Sequence, residues 1–170
     1  MSIAFIGAAE AISPVSQDAF DHIAIETKVY SHISENMDSD TKMFPKPQQG
    51  NKQHILALPK LEDESNYMIE VQFGQNQMVD CNQHRLMGSV ELKTLDGWGY
   101  SYYQVDKVLD GSSTMRMCTE PEKAQFVMLG EGIKMAYDSR LAKVFYLPEN
   151  IELRYRIWQV SSEFRFSGQQ

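Results

Sequence analysis

After Phe44-Pro45-Lys46-Pro47, whose prolines favour extended backbone, the chain runs in short stretches of alternating apolar and polar residues separated by turn formers. A period of two is the signature of half-buried strands, so this pattern restricts the fold to sheets packed on sheets or closed on themselves. Tyr67, Ile69, Val71 and Phe73 alternate with Met68, Glu70 and Gln72. The alternation predicts a strand that buries the first set, wets the second and stops at Gly74. Similar runs at 54–58, 86–93, 100–108, 125–129, 143–147 and 151–160 are broken by Pro59, Asp96-Gly97, Asp110-Gly111 and Pro148-Glu149-Asn150. Strands in this number predict an all-β fold, a single antiparallel sandwich or barrel-like domain.

The hydrophobic content, 42% of 170 residues, suffices for one sizeable core. That core is expected within residues 44–170, with 1–43 as an N-terminal extension. In the extension Phe20, Ile23 and Ala24 can line one face of a short helix capped by Ser16. The stretch from Ile3 to Ala11 is apolar and ends in an Ala-x-Ala pattern, but lacks a positively charged start and is short. It reads as the tail of a signal peptide whose precursor is longer. At the other end Ile151, Leu153, Tyr155 and Ile157 share one strand face and Glu152, Arg154, Arg156 and Trp158 the other. So long a terminal strand needs a pairing partner, and a second copy of the chain is the cheapest, which predicts a homodimer.

A formal charge of −7, from 16 basic and 23 acidic side chains, offers no electrostatic footprint for nucleic acid or an anionic membrane. No stretch approaches the length of a transmembrane helix. A protein partner is the expectation. The two cysteines, Cys81 and Cys118, allow one intramolecular bridge, which forms in an oxidising compartment if the geometry permits and stays as thiols in a reducing one.

Enzyme signatures are sparse. His22, His32, His54 and His84 fall in unrelated segments, outside any metal-binding or nucleophile motif. Cys81, His84 and Cys118 make three zinc ligand types where a structural site needs four. Ser112 and Ser113 have no base placed beside them by a recognisable motif. No catalytic residue, metal or cofactor is expected. The segment from Asp110 to Cys118 stands out instead, with small polar residues leading to Met115, Arg116 and Met117 and a cysteine at its far end. It reads either as an exposed, tethered loop or as a hairpin tip with inward methionines.

Several motifs then agree with one family: Val79-Asp80-Cys81-Asn82-Gln83-His84-Arg85-Leu86, Lys93-Thr94-Leu95-Asp96-Gly97-Trp98-Gly99-Tyr100 and Ser113-Thr114-Met115-Arg116-Met117-Cys118. Glu62-Asp63-Glu64-Ser65, Tyr137-Asp138-Ser139-Arg140-Leu141 and Tyr155-Arg156-Ile157-Trp158 fit with consistent spacing. From about Phe44 to Val160 the chain resembles ecotin, a family of periplasmic inhibitors of trypsin-fold serine peptidases. The resemblance implies a β-sheet domain whose C-terminal strand is exchanged between two subunits, and a Cys81–Cys118 disulfide. It implies a reactive-site loop of Ser112, Ser113, Thr114, Met115, Arg116 and Met117, with Met115 entering the specificity pocket. The supporting loop maps to Asn82, Gln83, His84 and Arg85. A secondary site supplied by the other subunit maps to Trp98, Gly99, Tyr100, Asp138, Arg140 and Leu141.

Two positions depart from the family pattern. Arg116 stands where the family usually carries methionine, so a loop shifted by one residue would offer Arg116 to an acidic pocket instead. Ala136 stands where the family carries a basic second-site residue. Trp98 can also be read as core aromatic. The alternative function is a periplasmic β-sheet binding module of the same fold without inhibitory activity.

Overall fold

The computed structural model describes residues 23–35 and 39–168. Among the described residues nine strands carry the fold: β1 (Glu26–Ser31), β2 (Asn51–Ala57), β3 (Tyr67–Val79), β4 (His84–Thr94), β5 (Ser101–Ser113), β6 (Lys123–Met128), β7 (Ile133–Ala136), β8 (Lys143–Pro148) and β9 (Glu152–Gln159). Helical structure among the described residues is confined to 3-10 turns at Ser39–Thr41 and Glu64–Asn66. The fold is all-β. One sheet has the order β1-β2-β8-β5-β4, and the other is built around β3. Residues Met68 to Val71 pair with both β7 and β9, so these two strands lie on opposite edges of β3. Gly74 likewise pairs with both Met128 and Glu152, which puts β6 on the β7 edge.

The inward faces of both sheets meet in one core of Leu56, Ile69, Val71, Phe73, Val105, Val127, Phe145 and Leu147. These are the apolar members of the alternating runs. A smaller cluster of Phe44, Ile55, Val144 and Tyr146 forms on the other face of the first sheet.

Several expectations are corrected. β3 does not stop at Gly74 but continues to Val79. A side chain there would strike the Val127 carbonyl and the Phe126 ring, so this glycine permits close strand approach. β5 likewise runs through Asp110-Gly111, because a Cβ on Gly111 would meet the Arg85 carbonyl across the ladder. Glu70, expected to be wet, is 3% exposed. Arg156 and Trp158 of β9 cover it, donating to its carboxylate at 2.8 and 2.6 Å. The sheets are not wholly antiparallel: β5 and β8 run parallel at Tyr103 and Gln104, because the chain crosses to the second sheet between them.

Residues 26–31, assigned to the extension by sequence pattern, form an edge strand antiparallel to β2, and Ile23 joins the core. Ile23 and Ala24 are not helical, and Ser16, Phe20 and the 3–11 stretch lie outside the described residues. The terminal strand β9 pairs antiparallel with β3 of its own chain from Tyr67↔Gln159 to Gly74↔Glu152.

Candidate functional site

The β4–β5 hairpin organises both candidate regions. At one end His84 pairs with Ser113, and the chain then leaves the ladder into residues 114–118. Cys118 returns this segment to Cys81 through a disulfide with Cα atoms 5.6 Å apart. That bridge consumes both thiols, so no zinc set of Cys81, His84 and Cys118 exists.

Between the two cysteines the loop is tied at several points to the segment after Cys81, and Asn82 makes the most of these bonds. Asn82 is buried, and its Oδ1 accepts from the Arg116 backbone N–H at 2.6 Å and from the Thr114 hydroxyl at 3.0 Å. Its Nδ2 donates to the Arg116 carbonyl at 3.2 Å. Gln83 and Thr114 add a reciprocal pair: Gln83 N–H donates to Thr114 Oγ1 at 3.0 Å, and Thr114 N–H donates to the Gln83 carbonyl at 3.2 Å. The loop is therefore strapped at residues 114 and 116, on either side of Met115. Met115 is 98% exposed and Met117 94%. The inward-methionine reading of this tip is excluded. Arg116 is turned back, its guanidinium donating to the Cys81 carbonyl at 3.0 Å.

Asn82 is itself held by Asp80, a residue the motif reading left unassigned. The Asp80 carboxylate accepts from the Asn82 backbone N–H at 2.9 Å and from Asn82 Nδ2 at 2.8 Å. It also pairs with His84 Nε2 at 2.8 Å. The His84 and Asn82 hydrogen bonds hold the Asp80 carboxyl down at about 2. The signal was present in the sequence, since Asp-x-Asn is Asx-turn spacing. Arg85 and Ser112 are exposed on neighbouring ladder positions.

At the other end of the hairpin, Leu95 N–H donates to the Tyr100 carbonyl at 2.7 Å, closing a turn in which Gly97 and Gly99 take φ of 77° and 69°. Those left-handed conformations suit glycine. They present Trp98, which is 58% exposed and so is not core aromatic. Trp98 stacks on Tyr100 at 6.1 Å, and Tyr100 on buried Phe44 at 6.4 Å, so the tip is braced from inside. Asp138 accepts from Arg140 Nε at 2.9 Å and from its terminal nitrogen at 2.8 Å, which holds the carboxyl well below its ordinary range. Gly99, Tyr100, Arg140 and Leu141 border a single cleft with Phe44 and Lys28 of the preceding segment. The structure thus brings the two sequence-separated halves of the predicted secondary region together. The ten ladder steps from His84 to Thr94 set the two ends of the hairpin roughly 30 Å apart.

Comparison with known proteins gives one family. The model of the Ecotin family matches residues 40–160. A curated relative, the ecotin of Pseudomonas putida (strain W619), is 40% identical over 126 residues, covering 73% of this chain and 79% of the relative.

Proposed function

The chain belongs to the ecotin family, and on that footing, as a serine peptidase inhibitor rather than an enzyme, we propose that it blocks trypsin-fold peptidases of varied specificity by presenting Met115 to the specificity pocket. The observation that carries this is the Asn82 strap. Residues 114 and 116 are fixed to it while the side chain between them stands free. Substrate-like inhibition needs a loop ordered before binding, so that little conformational entropy is lost, and cleaved ends held in place by a crosslink. The strap and the Cys81–Cys118 bridge supply both. An unbranched, polarizable methionine adapts to pockets of different shape. Arg116 belongs after the scissile bond in this reading, its guanidinium already engaged with Cys81.

The reactive-site loop is Ser112 to Met117, supported by Asn82, Gln83, His84 and Arg85. Trp98, Gly99, Tyr100, Asp138, Arg140 and Leu141 form the secondary contact. The two regions terminate opposite ends of one hairpin, so a peptidase seated on Met115 lies far from Trp98 of the same copy. A second copy resolves this, and two-point attachment raises affinity through effective concentration. The homodimer forms by exchange of β9: the same β3–β9 ladder is made between copies, with 148–151 as the connecting hinge. The working compartment is the periplasm, where the disulfide persists.

Titration of trypsin, chymotrypsin and elastase by the oxidised protein tests the proposal. Tight stoichiometric inhibition of all three, weakened mainly by Met115→Ala, is expected. Inhibition of trypsin alone, lost with Arg116→Ala, would move the pocket residue by one.

A further inference from the structure

We propose that Met115 is a modification site, at which a two-electron oxygen donor such as hydrogen peroxide weakens the inhibitor reversibly; the inference rests on the reactive-site reading above. Thioether oxidation requires direct approach to the sulfur, so accessibility sorts the methionines. Met68, Met78 and Met87 are exposed to 42%, 61% and 62%, whereas Met115 and Met117 stand almost wholly in solvent. The backbone on both sides of Met115 is held, Thr114 N–H by the Gln83 carbonyl and Arg116 N–H by Asn82 Oδ1, which keeps the Met115 side chain from folding down. The feature that preorganises the loop for a pocket therefore also presents its sulfur to oxidant.

The step balances with peroxide as sole co-reactant. A sulfur lone pair attacks one peroxide oxygen, the S–O bond forms and the O–O bond breaks. The departing hydroxide takes the proton of the transferred hydroxyl and leaves as water. Sulfur loses two electrons and the peroxide gains them. The sulfoxide carries a polar oxygen that an apolar pocket leaves unpaired, and this weakens binding about 10- to 100-fold. Contacts at the Trp98 and Arg140 region are untouched by the modification, so inhibition is reduced without being abolished. Sulfoxide reduction restores the thioether.

The test uses the full chain, treated with graded hydrogen peroxide. Oxygen incorporation at each methionine is mapped by peptide mass spectrometry, and the inhibition constant for chymotrypsin is measured on the same samples. Met115→Leu and Met87→Leu are each compared with their own untreated form. We expect Met115 and Met117 to gain oxygen before Met78 and Met87. The parent and Met87→Leu should weaken about 10- to 100-fold as Met115 is oxidised, while Met115→Leu keeps its own starting constant. An unchanged constant in chain with fully oxidised Met115 overturns the inference, and so does an equal loss in Met115→Leu, which would trace to another methionine. If untreated Met115→Ala inhibits as well as the parent, the reactive-site reading itself falls, and this inference with it.

Discussion

Asn82 joins the loop that presents Met115 to the segment that supports it. Truncating it to Ala leaves the Arg116 N–H and the Thr114 hydroxyl without their shared acceptor and frees the loop to sample other conformations. The inhibition constant of Asn82→Ala should rise about 10- to 100-fold, while a urea midpoint places the fold's own loss at no more than about 3 kcal/mol. A second residue ties stability to pH. Burial, helped by the charge of Lys52, lowers His54 to about 4, and its buried Nε2 has no hydrogen-bond partner among the described residues. The unfolded chain protonates this histidine near pH 6.5 and the folded chain does not, so the unfolded state binds more protons as pH falls. Stability should therefore decline from about pH 6.5 towards pH 4, by about 3 kcal/mol for a shift of this size. Urea midpoints across that range should show the slope in the parent and a flatter profile in His54→Gln.

At the level of elements, Gly111 allows β5 to lie against β4 beside the proposed reactive-site loop. Gly111→Ala forces a Cβ into the Arg85 carbonyl and should cost about 1–3 kcal/mol, read as a lowered denaturant midpoint with unchanged slope. A glycine within an alternating run signals either a turn or a close approach of backbone, and only the partner strand distinguishes them. Gly74 and Gly111 look like breaks in the sequence and are close approaches, whereas Gly97, with positive φ, is a turn residue as expected. β1 is not marked in the sequence because its burial follows no regular alternation, and β7 alternates but over only four residues, too few to stand out as a strand. Alternation predicts a wet Glu70 because it reports faces and not what covers them. Here β9 lays Arg156 over the Trp158 ring at 4.6 Å, with Glu70 beneath. Desolvation alone would raise the Glu70 pKa. Hydrogen bonds from Arg156, Trp158 and Gln72 outweigh it and leave the carboxyl below its ordinary value.

For the whole molecule, the sheet order and the disulfide determine how the two ends of the β4–β5 hairpin are used. A cysteine and a motif of fixed spacing mark the proposed reactive loop in the sequence, which also places Asn82 in the supporting loop but does not show that its side chain straps residues 114 and 116. The bridge closes a separation of 37 residues. Opening it should cost about 4 kcal/mol if the reduced chain unfolds fully, seen as a lower denaturant midpoint under reducing conditions together with weaker inhibition. If β9 exchanges between copies, sedimentation should report a dimer at micromolar concentration. Trp98→Ala with Arg140→Ala should then weaken inhibition by the dimer while leaving the cleavage position unchanged.

Where the peptidase cuts its inhibitor is the most direct test of the central claim. Prolonged incubation with chymotrypsin, followed by mass spectrometry with and without reduction, should give one disulfide-held species that separates on reduction into fragments ending at Met115 and beginning at Arg116. A fragment beginning at Met117 would put Arg116 in the pocket, and cleavage outside residues 112–117 would contradict the account.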